Sequence, residues 1–595
     1  MMISSTMMSS AFRLPTSTVV LPRITGRVAR DLRITMRNKN AWSGHVSTRY
    51  AYPTRRVSST STVCMQAGAT TGSDQSPFYI TTPIYYVNDK PHIGHAYTTL
   101  ACDVLARWKR LEGRRVFFLT GTDEHGQKVQ QSADKAGVTP LEYVDGVSGT
   151  FRALLDTMNF SNDDFIRTTE GRHREAVVAL WRRLEERGEI YLGAYEGWYS
   201  VRDEAYYTES ELVDGKAPTG AEVEWVVKEP SYFFKLSQWQ DRLLEYYEAH
   251  PDFLAPAGRR NEVVSFVKGG LRDLSISRTT FDWGIPVPVG DDASDSDDDT
   301  RHVMYVWVDA LANYLSAVGY PHEDENSLYP DLWPASLHMV GKDIIRFHGV
   351  YWPALLLAAG LPLPERIFAH GWWTRDGEKI SKSVGNVIDP SELVETFGVD
   401  QVRYFLMAEV PFGQDGDYSD AAMLASANGF LANALGNLQM RVLSLAFKNC
   451  NKQVPEPEAL EELDEALLSK ARGLRGEMQV LMDKQELHKA CEALAVVVRA
   501  ANKYIDDTAP WALKKTDLGR MRTVLWVLME ALRYVAVCAQ PLMPQAAEKM
   551  LGQLGVAEDQ RSFAALEDGS GAETTPGRPL SKPVGLFPRV ELEEE

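Results

Sequence analysis

Phe78-Tyr79-Ile80-Thr81-Thr82, Asn88-Asp89-Lys90-Pro91 and His92-Ile93-Gly94-His95 follow one another in a single short stretch, and their order decides the fold. The first segment is aromatic and β-branched, the composition of a strand. The second is a turn. From the third onward Tyr97, Leu100, Ala101, Val104, Leu105 and Trp108 repeat at helical spacing. Val116-Phe117-Phe118-Leu119 reads as the next strand. Strand, helix, strand predicts a parallel α/β sheet. Ligands of such sheets sit beyond the carboxyl ends of the strands, where His92, His95 and Asp123 fall. A helix N-terminus offers unpaired N–H groups and the positive end of a dipole to a phosphate. Two histidines spaced by Ile-Gly add imidazole donors, and Gly94 lets a ligand approach the backbone. A pair of satisfied surface histidines is the plainer alternative.

Working outward, 595 residues are too many for one core and predict several domains. No apolar run reaches the roughly 18 residues of a membrane helix, so no membrane partner is expected. Five scattered cysteines without a Cys-x-x-Cys pair suggest neither a disulfide framework nor a cysteine-zinc site. The net charge of −18 argues against a nonspecific nucleic-acid binder, while leaving room for local basic groups.

The first 70 residues carry nine Arg and one Lys against a single acid, Asp31, and are dense in Ser and Thr. That is the composition of a mitochondrial or chloroplast transit peptide; a basic tail that touches RNA is the alternative. Between about Tyr191 and Arg301 the pattern becomes short aromatic-rich strands, and the acidic run Asp291–Asp299 reads as a solvated loop rather than a metal site. A strand is expected at Val303–Val308, followed by more α/β sequence to about Leu406. From about Ser419 to Leu554 helical periodicity predicts a bundle. The tail after Glu567 is Gly- and Pro-rich.

Lys379-Ile380-Ser381-Lys382-Ser383 lies far downstream of His92–His95. In this order and with a long insertion between them, the two motifs resemble the signatures of class I aminoacyl-tRNA synthetases. From about Pro77 the resemblance runs along nearly the whole chain to the methionyl-tRNA synthetases of organellar or bacterial type. It implies a Rossmann-like parallel-sheet catalytic domain, an inserted connective domain and an α-helical anticodon-binding bundle. The implied divisions are a transit peptide (1–75), the first catalytic half (76–190), the insertion (191–302), the second catalytic half (303–418), the anticodon-binding domain (419–566) and a tail (567–595).

The resemblance also implies roles. His92, His95, Lys379 and Lys382 would be catalytic, stabilising phosphate charge as ATP and methionine form an adenylate. Positioned cations do this by favouring the transition state. Asp376-Gly377-Glu378 and Gly385-Asn386 read as the loop that a closing lid requires. Gly94, Gly341 and Asp343 would join the ATP site. Asp123, from Thr120-Gly121-Thr122-Asp123-Glu124-His125-Gly126, would hold the substrate ammonium. Ile84, Tyr86, Trp307, Ala310, Tyr314, Ile344 and His348 would surround the thioether, which packs well on aromatic edges. Leu311 stands where the family often has proline.

Asn437, Arg441 and Trp511 resemble anticodon readers; an exposed Trp suits stacking on an unpaired base. The metal knuckle of many relatives departs here, with Ser200 and Asp203 in place of a cysteine pair and no second pair around Ala217-Pro218-Thr219-Gly220. Zinc needs four such ligands, so none is expected, while Mg²⁺ would accompany ATP. The implied partners are methionine, ATP and tRNA(Met), the implied state a monomer, and the implied place a mitochondrion, a chloroplast or both.

Overall fold

The computed structural model describes residues 76–591, apart from 203, 204, 208, 289–301, 326, 376, 381–384, 568, 569 and 572. The expected transit peptide, the acidic run Asp291–Asp299 and Lys382 lie outside the described residues.

The strand–helix–strand reading holds. Phe78–Thr81, the helix Ile93–Leu111 and Val116–Asp123 form in that order, and the two strands pair in parallel, Phe78 opposite Val116 and Thr81 opposite Leu119. Tyr85–Tyr86 continues the same edge against Thr122 and Asp123, and Asp164–Arg167 pairs along the opposite edge. On the far side of Phe78–Thr81 the sheet is extended by Leu337–Gly341, Ile367–His370 and Leu254–Ala255, all parallel. The chain leaves Phe78–Thr81 toward one side and later returns on the other. The crevice beyond the carboxyl ends of Phe78–Thr81 and Leu337–Gly341 is therefore a topological switch point, the usual ligand position in such sheets.

Alternation along these strands explains why they read as continuous apolar runs, since both faces are covered. Phe78, Ile80, Phe118, Leu337 and Met339 face one core with the helix Ile93–Leu111. Tyr79, Leu119, Ile166 and Val340 face the other, beneath Gly171–Glu186 and Trp352–Ala359. The first core continues without a break into the helices Glu462–Asp483, Leu487–Thr508 and Leu518–Ala539.

Two expectations need correction. Residues 191–302 are not one insertion. Ile190–Ser200, Ala205–Tyr207, Glu224–Phe234 and Leu274–Ser275 make a separate four-stranded sheet. Between its last two strands, Leu254–Ala255 rejoins the main sheet against Ile367 and Phe368. Two residues are too few for periodicity to reveal. Nor is Val303–Val308 a strand throughout. Only Val303–Met304 is extended, and Val306–Leu311 is helical from Tyr305 as N-cap. Its apolar residues are buried on the core side of a helix rather than alternating across a sheet, so the β-rich composition misleads.

The helical region forms as expected, and the tail beyond it docks. Val590 and Asn428 exchange two hydrogen bonds, Trp526 Nε1 donates to the Thr574 carbonyl, and Leu580, Leu586 and Phe587 are buried.

Candidate active site

The switch-point crevice collects most of the sequence-derived residues. His92 is the N-cap of Ile93–Leu111, and it builds a capping box in which both roles are played by imidazoles. The Gly94 N–H donates to His92 Nδ1 at 3.1 Å, and the His92 N–H donates to His95 Nδ1 at 3.1 Å. The helix end is thus more self-satisfied than the sequence suggested. Each Nδ1 is an acceptor, so each neutral ring carries its proton on Nε2, and no hydrogen bond within the described residues consumes that N–H. The rings lie 3.9 Å apart. Burial pushes the His92 pKa below its usual value, against the pull of the Asp343 carboxylate. Burial and the neighbouring His92 push His95 lower still. The pair therefore waits as two neutral donors. Gly94 serves this arrangement as well as any ligand, because a Cβ there would meet His92 Cε1 at 2.9 Å.

Gly341 ends its strand at the crevice, and a Cβ on it would stand 2.5 Å from Asp343 Oδ1. Asp343 accepts from Trp372 Nε1 at 3.1 Å, and Lys342 pairs with Asp415 at 2.6 Å. His370 donates from Nδ1 to the Gly371 carbonyl and accepts the Thr98 hydroxyl at Nε2, 2.7 Å each. That bond ties the next strand to the helix bearing His92. Lys379 lies in the short strand Glu378–Lys379, paired with Trp373–Arg375. Ile380 packs against the first core, and Ser381, Lys382 and Ser383 fall outside the described residues.

A half-exposed apolar wall adjoins this polar end. Ile84, Tyr86, Trp307 and Ile344 all pack at the rim of the second core. Tyr86 is the backbone partner of Asp123, which is buried at the carboxyl end of its strand. Trp307 stacks on Phe347 at 3.7 Å with planes 6° apart, and the His348 ring meets it edge-on. His348 lies in a π-helical turn, Phe347–Tyr351, a device common at functional sites. Its Nδ1 donates to the Ile344 carbonyl and its Nε2 accepts the Tyr314 hydroxyl at 2.7 Å. Burial lowers its pKa to about 4, so it is a neutral link. Ala310 and Tyr314 are buried behind this wall.

The arrangement joins an anion-facing end to an apolar, aromatic one, with a carboxylate between. Comparisons with known proteins match the chain over most of its length. A family profile described as tRNA synthetases class I (M) matches residues 78–224 and 210–443. A second, described as the anticodon binding domain of methionyl tRNA ligase, matches residues 454–595. The chain belongs to the methionyl class I tRNA synthetase family. It is 55% identical over 518 residues to a methionine–tRNA ligase of Rickettsia bellii (strain RML369-C), covering 86% of this chain and 99% of that protein. It is 54% identical over 521 residues to one of Rhizobium meliloti (strain 1021), covering 87% and 98%. The Mycobacterium tuberculosis methionyl-tRNA synthetase, solved in complex with methionyl-adenylate, is 52% identical, with a TM-score of 0.82 over 87% of this chain and all of that one.

For a synthetase of this family the bundle should carry a second, distant surface. Asn437 and Arg441 lie one turn apart on the helix Asn437–Asn449. The Arg441 guanidinium sits 5.2 Å from the ring of Trp511 and pairs with Asp506. Trp511 is 44% exposed, which fits a stacking platform rather than core. Sequence reading passed over several residues that the crevice assembles. His338 bridges Thr81 Oγ1 at 2.8 Å and Trp352 Nε1 at 3.3 Å beneath Tyr314. His370, Trp372 and Phe347 were likewise missed, although Phe347 adjoins His348.

Proposed function

We propose that this protein activates methionine with ATP and transfers it to tRNA(Met) for protein synthesis in an organelle. The observation that carries the reading is the crevice itself. Two neutral imidazole N–H donors at a helix N-terminus face Asp343 across the switch point. A wall of Trp307, Tyr86 and Ile344 adjoins Asp123. The methionine carboxylate attacks the α-phosphorus of ATP, pyrophosphate leaves, and the mixed anhydride stays bound. His92 and His95 donate from Nε2 to phosphate oxygens as charge builds there, and Lys379 and Lys382 add cationic charge. Asp123 receives the ammonium. The terminal adenosine of tRNA then attacks the acyl carbon and AMP departs, with Trp511, Arg441 and Asn437 reading the anticodon at the bundle.

Mg²⁺ comes with the nucleotide. Such ions are held chiefly by phosphates and water, with one or two carboxylates. Among the described residues no group of three or more His, Cys, Asp or Glu is assembled to cage a metal. The organellar assignment rests on the basic, acid-poor segment that precedes the first matched residue, 78. A reporter fused to residues 1–70 should enter an organelle, and cytosolic retention would favour the basic-tail reading. We take the chain as a monomer, which sedimentation tests.

The decisive assay is amino-acid-dependent ATP–pyrophosphate exchange. Methionine should drive it, with leakage only to near analogues, since an apolar pocket discriminates by about 1–3 kcal/mol per methylene. Comparable kcat/KM with leucine or isoleucine would overturn the assignment.

A further inference from the structure

Three segments that line the amino-acid end of the crevice are joined behind it by a buried polar chain. His125 Nδ1 donates to Asp309 Oδ2 at 2.6 Å, and His173 Nε2 donates to Asp309 Oδ1 at 2.7 Å. His173 Nδ1 lies 2.9 Å from Ser316 Oγ, which also reaches the Ala312 carbonyl at 2.8 Å. All four side chains are buried. The register is specific. His125 follows Asp123 by two residues, Asp309 follows Trp307 by two, and Ser316 follows Tyr314 by two. His173 comes from a fourth element, the first turn of Gly171–Glu186.

We propose that Asp309 is a positioning residue for the amino-acid site, setting the separation between the ammonium-binding carboxylate and the aromatic wall. The proposal deepens the methionine-activating reading and rests on it. A fully buried carboxylate is an expensive way to stabilise a core, and an apolar side chain of similar volume would serve stability as well or better. What a carboxylate supplies is geometry. Its two oxygens take one ring N–H each, from two different elements, so neither element can slide without stranding a buried polar group. Helix Val306–Leu311, which carries both Trp307 and Ala310, is thereby registered against the strand end that carries Asp123. The loop is held from the other side as well. Trp283 Nε1 donates to the Glu124 carbonyl, and the Gly126 N–H donates to the Trp283 carbonyl. Among the described residues, no side chain of the phosphate end hydrogen-bonds to Asp309, His125, His173 or Ser316.

The test is pyrophosphate exchange with methionine and ATP varied separately, together with thermal melting of each variant. Asp309→Asn keeps one acceptor oxygen and sets an amide N–H donor against the other ring N–H, so one arm fails. Loss of one hydrogen bond to a charged group predicts a rise of about tenfold in the KM for methionine, with the KM for ATP unmoved. His173→Ala should do the same, while His173→Gln, whose amide can still donate to Asp309, should stay near wild type. A folded Asp309→Asn enzyme with unchanged KM for methionine would overturn the proposal. So would KM values for both substrates and melting temperature shifting together, and equally, in His173→Ala and His173→Gln. The two histidine variants decide the matter if Asp309→Asn does not fold. Failure of the wild-type protein to use methionine at all would instead overturn the functional reading.

Discussion

Gly341→Ala should separate nucleotide use from stability. Gly341 has φ −71° and ψ 149°, an extended conformation open to any residue, so alanine brings no backbone strain. In the unfolded chain it removes freedom, worth about 0.4–1 kcal/mol in favour of the fold. The new methyl group, however, would stand 2.5 Å from Asp343 Oδ1, closer than any real contact. The carboxylate is the exposed end of a flexible side chain, so it swings aside at little cost. What it leaves behind is the 3.1 Å bond from Trp372 Nε1. A hydrogen bond to a charged group is worth about 1.5–3 kcal/mol, roughly ten- to a hundredfold in kcat/KM if Asp343 must be held there to meet ATP. The assay is the ATP dependence of pyrophosphate exchange beside a melting curve. The reasoning fails if the folded variant has a wild-type KM for ATP. It fails also if Asp343→Ala lowers activity by the same factor in the Gly341→Ala background as alone, because two changes acting through one contact should not add.

Trp511→Ala should leave pyrophosphate exchange intact and lower aminoacylation, by up to roughly a hundredfold if one base stacks on it; joint loss of both half-reactions with thermal stability would make it a core residue. His348, whose pKa burial lowers from 6.5 to about 4, takes up its proton first in the unfolded chain. Its contribution is therefore whole above pH 6.5 and is lost as pH falls from 6.5 to 4, at up to about 1.4 kcal/mol per pH unit. Melting curves of His348→Gln should be flatter across that window than wild type. Elemental analysis should find no stoichiometric zinc in the purified protein, and one zinc per chain would refute the reading of Ser200 and Ala217–Gly220. Lys382→Ala should lower kcat for adenylate formation by roughly 10²–10³ with little change in the KM for methionine; a near-wild-type rate would move its role elsewhere.

How much of this was legible follows from distance along the chain. The strand–helix–strand unit was readable because each element is long enough to repeat, and His92 could be placed at a helix start from its neighbours alone. The capping box between His92 and His95 was not anticipated, although it spans only three residues, because histidine is not among the usual capping residues. Leu254–Ala255 has no period to detect. Val303–Val308 has strand composition, and tertiary packing turned its second half into helix. His338 and His370 could not be found, because their partners Thr81 and Thr98 lie 257 and 272 residues away and neither histidine sits in a patterned motif. Resemblance brought Asp343, Trp307 and His348 into one site before the fold did. It said nothing of Asp309, whose meaning is visible only from what surrounds it.

The helix Ile93–Leu111 ties the crevice physically to the helical bundle. Its N-terminus holds the two imidazoles. At its middle, Asp103 accepts from Arg403 Nη2 at 2.7 Å, both fully buried, and Arg403 also donates to the carbonyls of Met158, Pro541 and Leu542. At its end Trp108 Nε1 donates to Gln479 and Lys109 pairs with Asp483, both on the bundle helix Glu462–Asp483. Removing one member of a buried pair costs about 3–5 kcal/mol, so Arg403 is fixed far more firmly than the exposed pairs around it, worth about 0–1 kcal/mol each. The core on this face of the sheet runs on into the bundle without a gap, and close-packed interiors transmit strain rather than absorb it. The imidazoles are therefore mounted on the bundle as much as on the sheet, and the crevice and the Trp511 surface share one rigid reference.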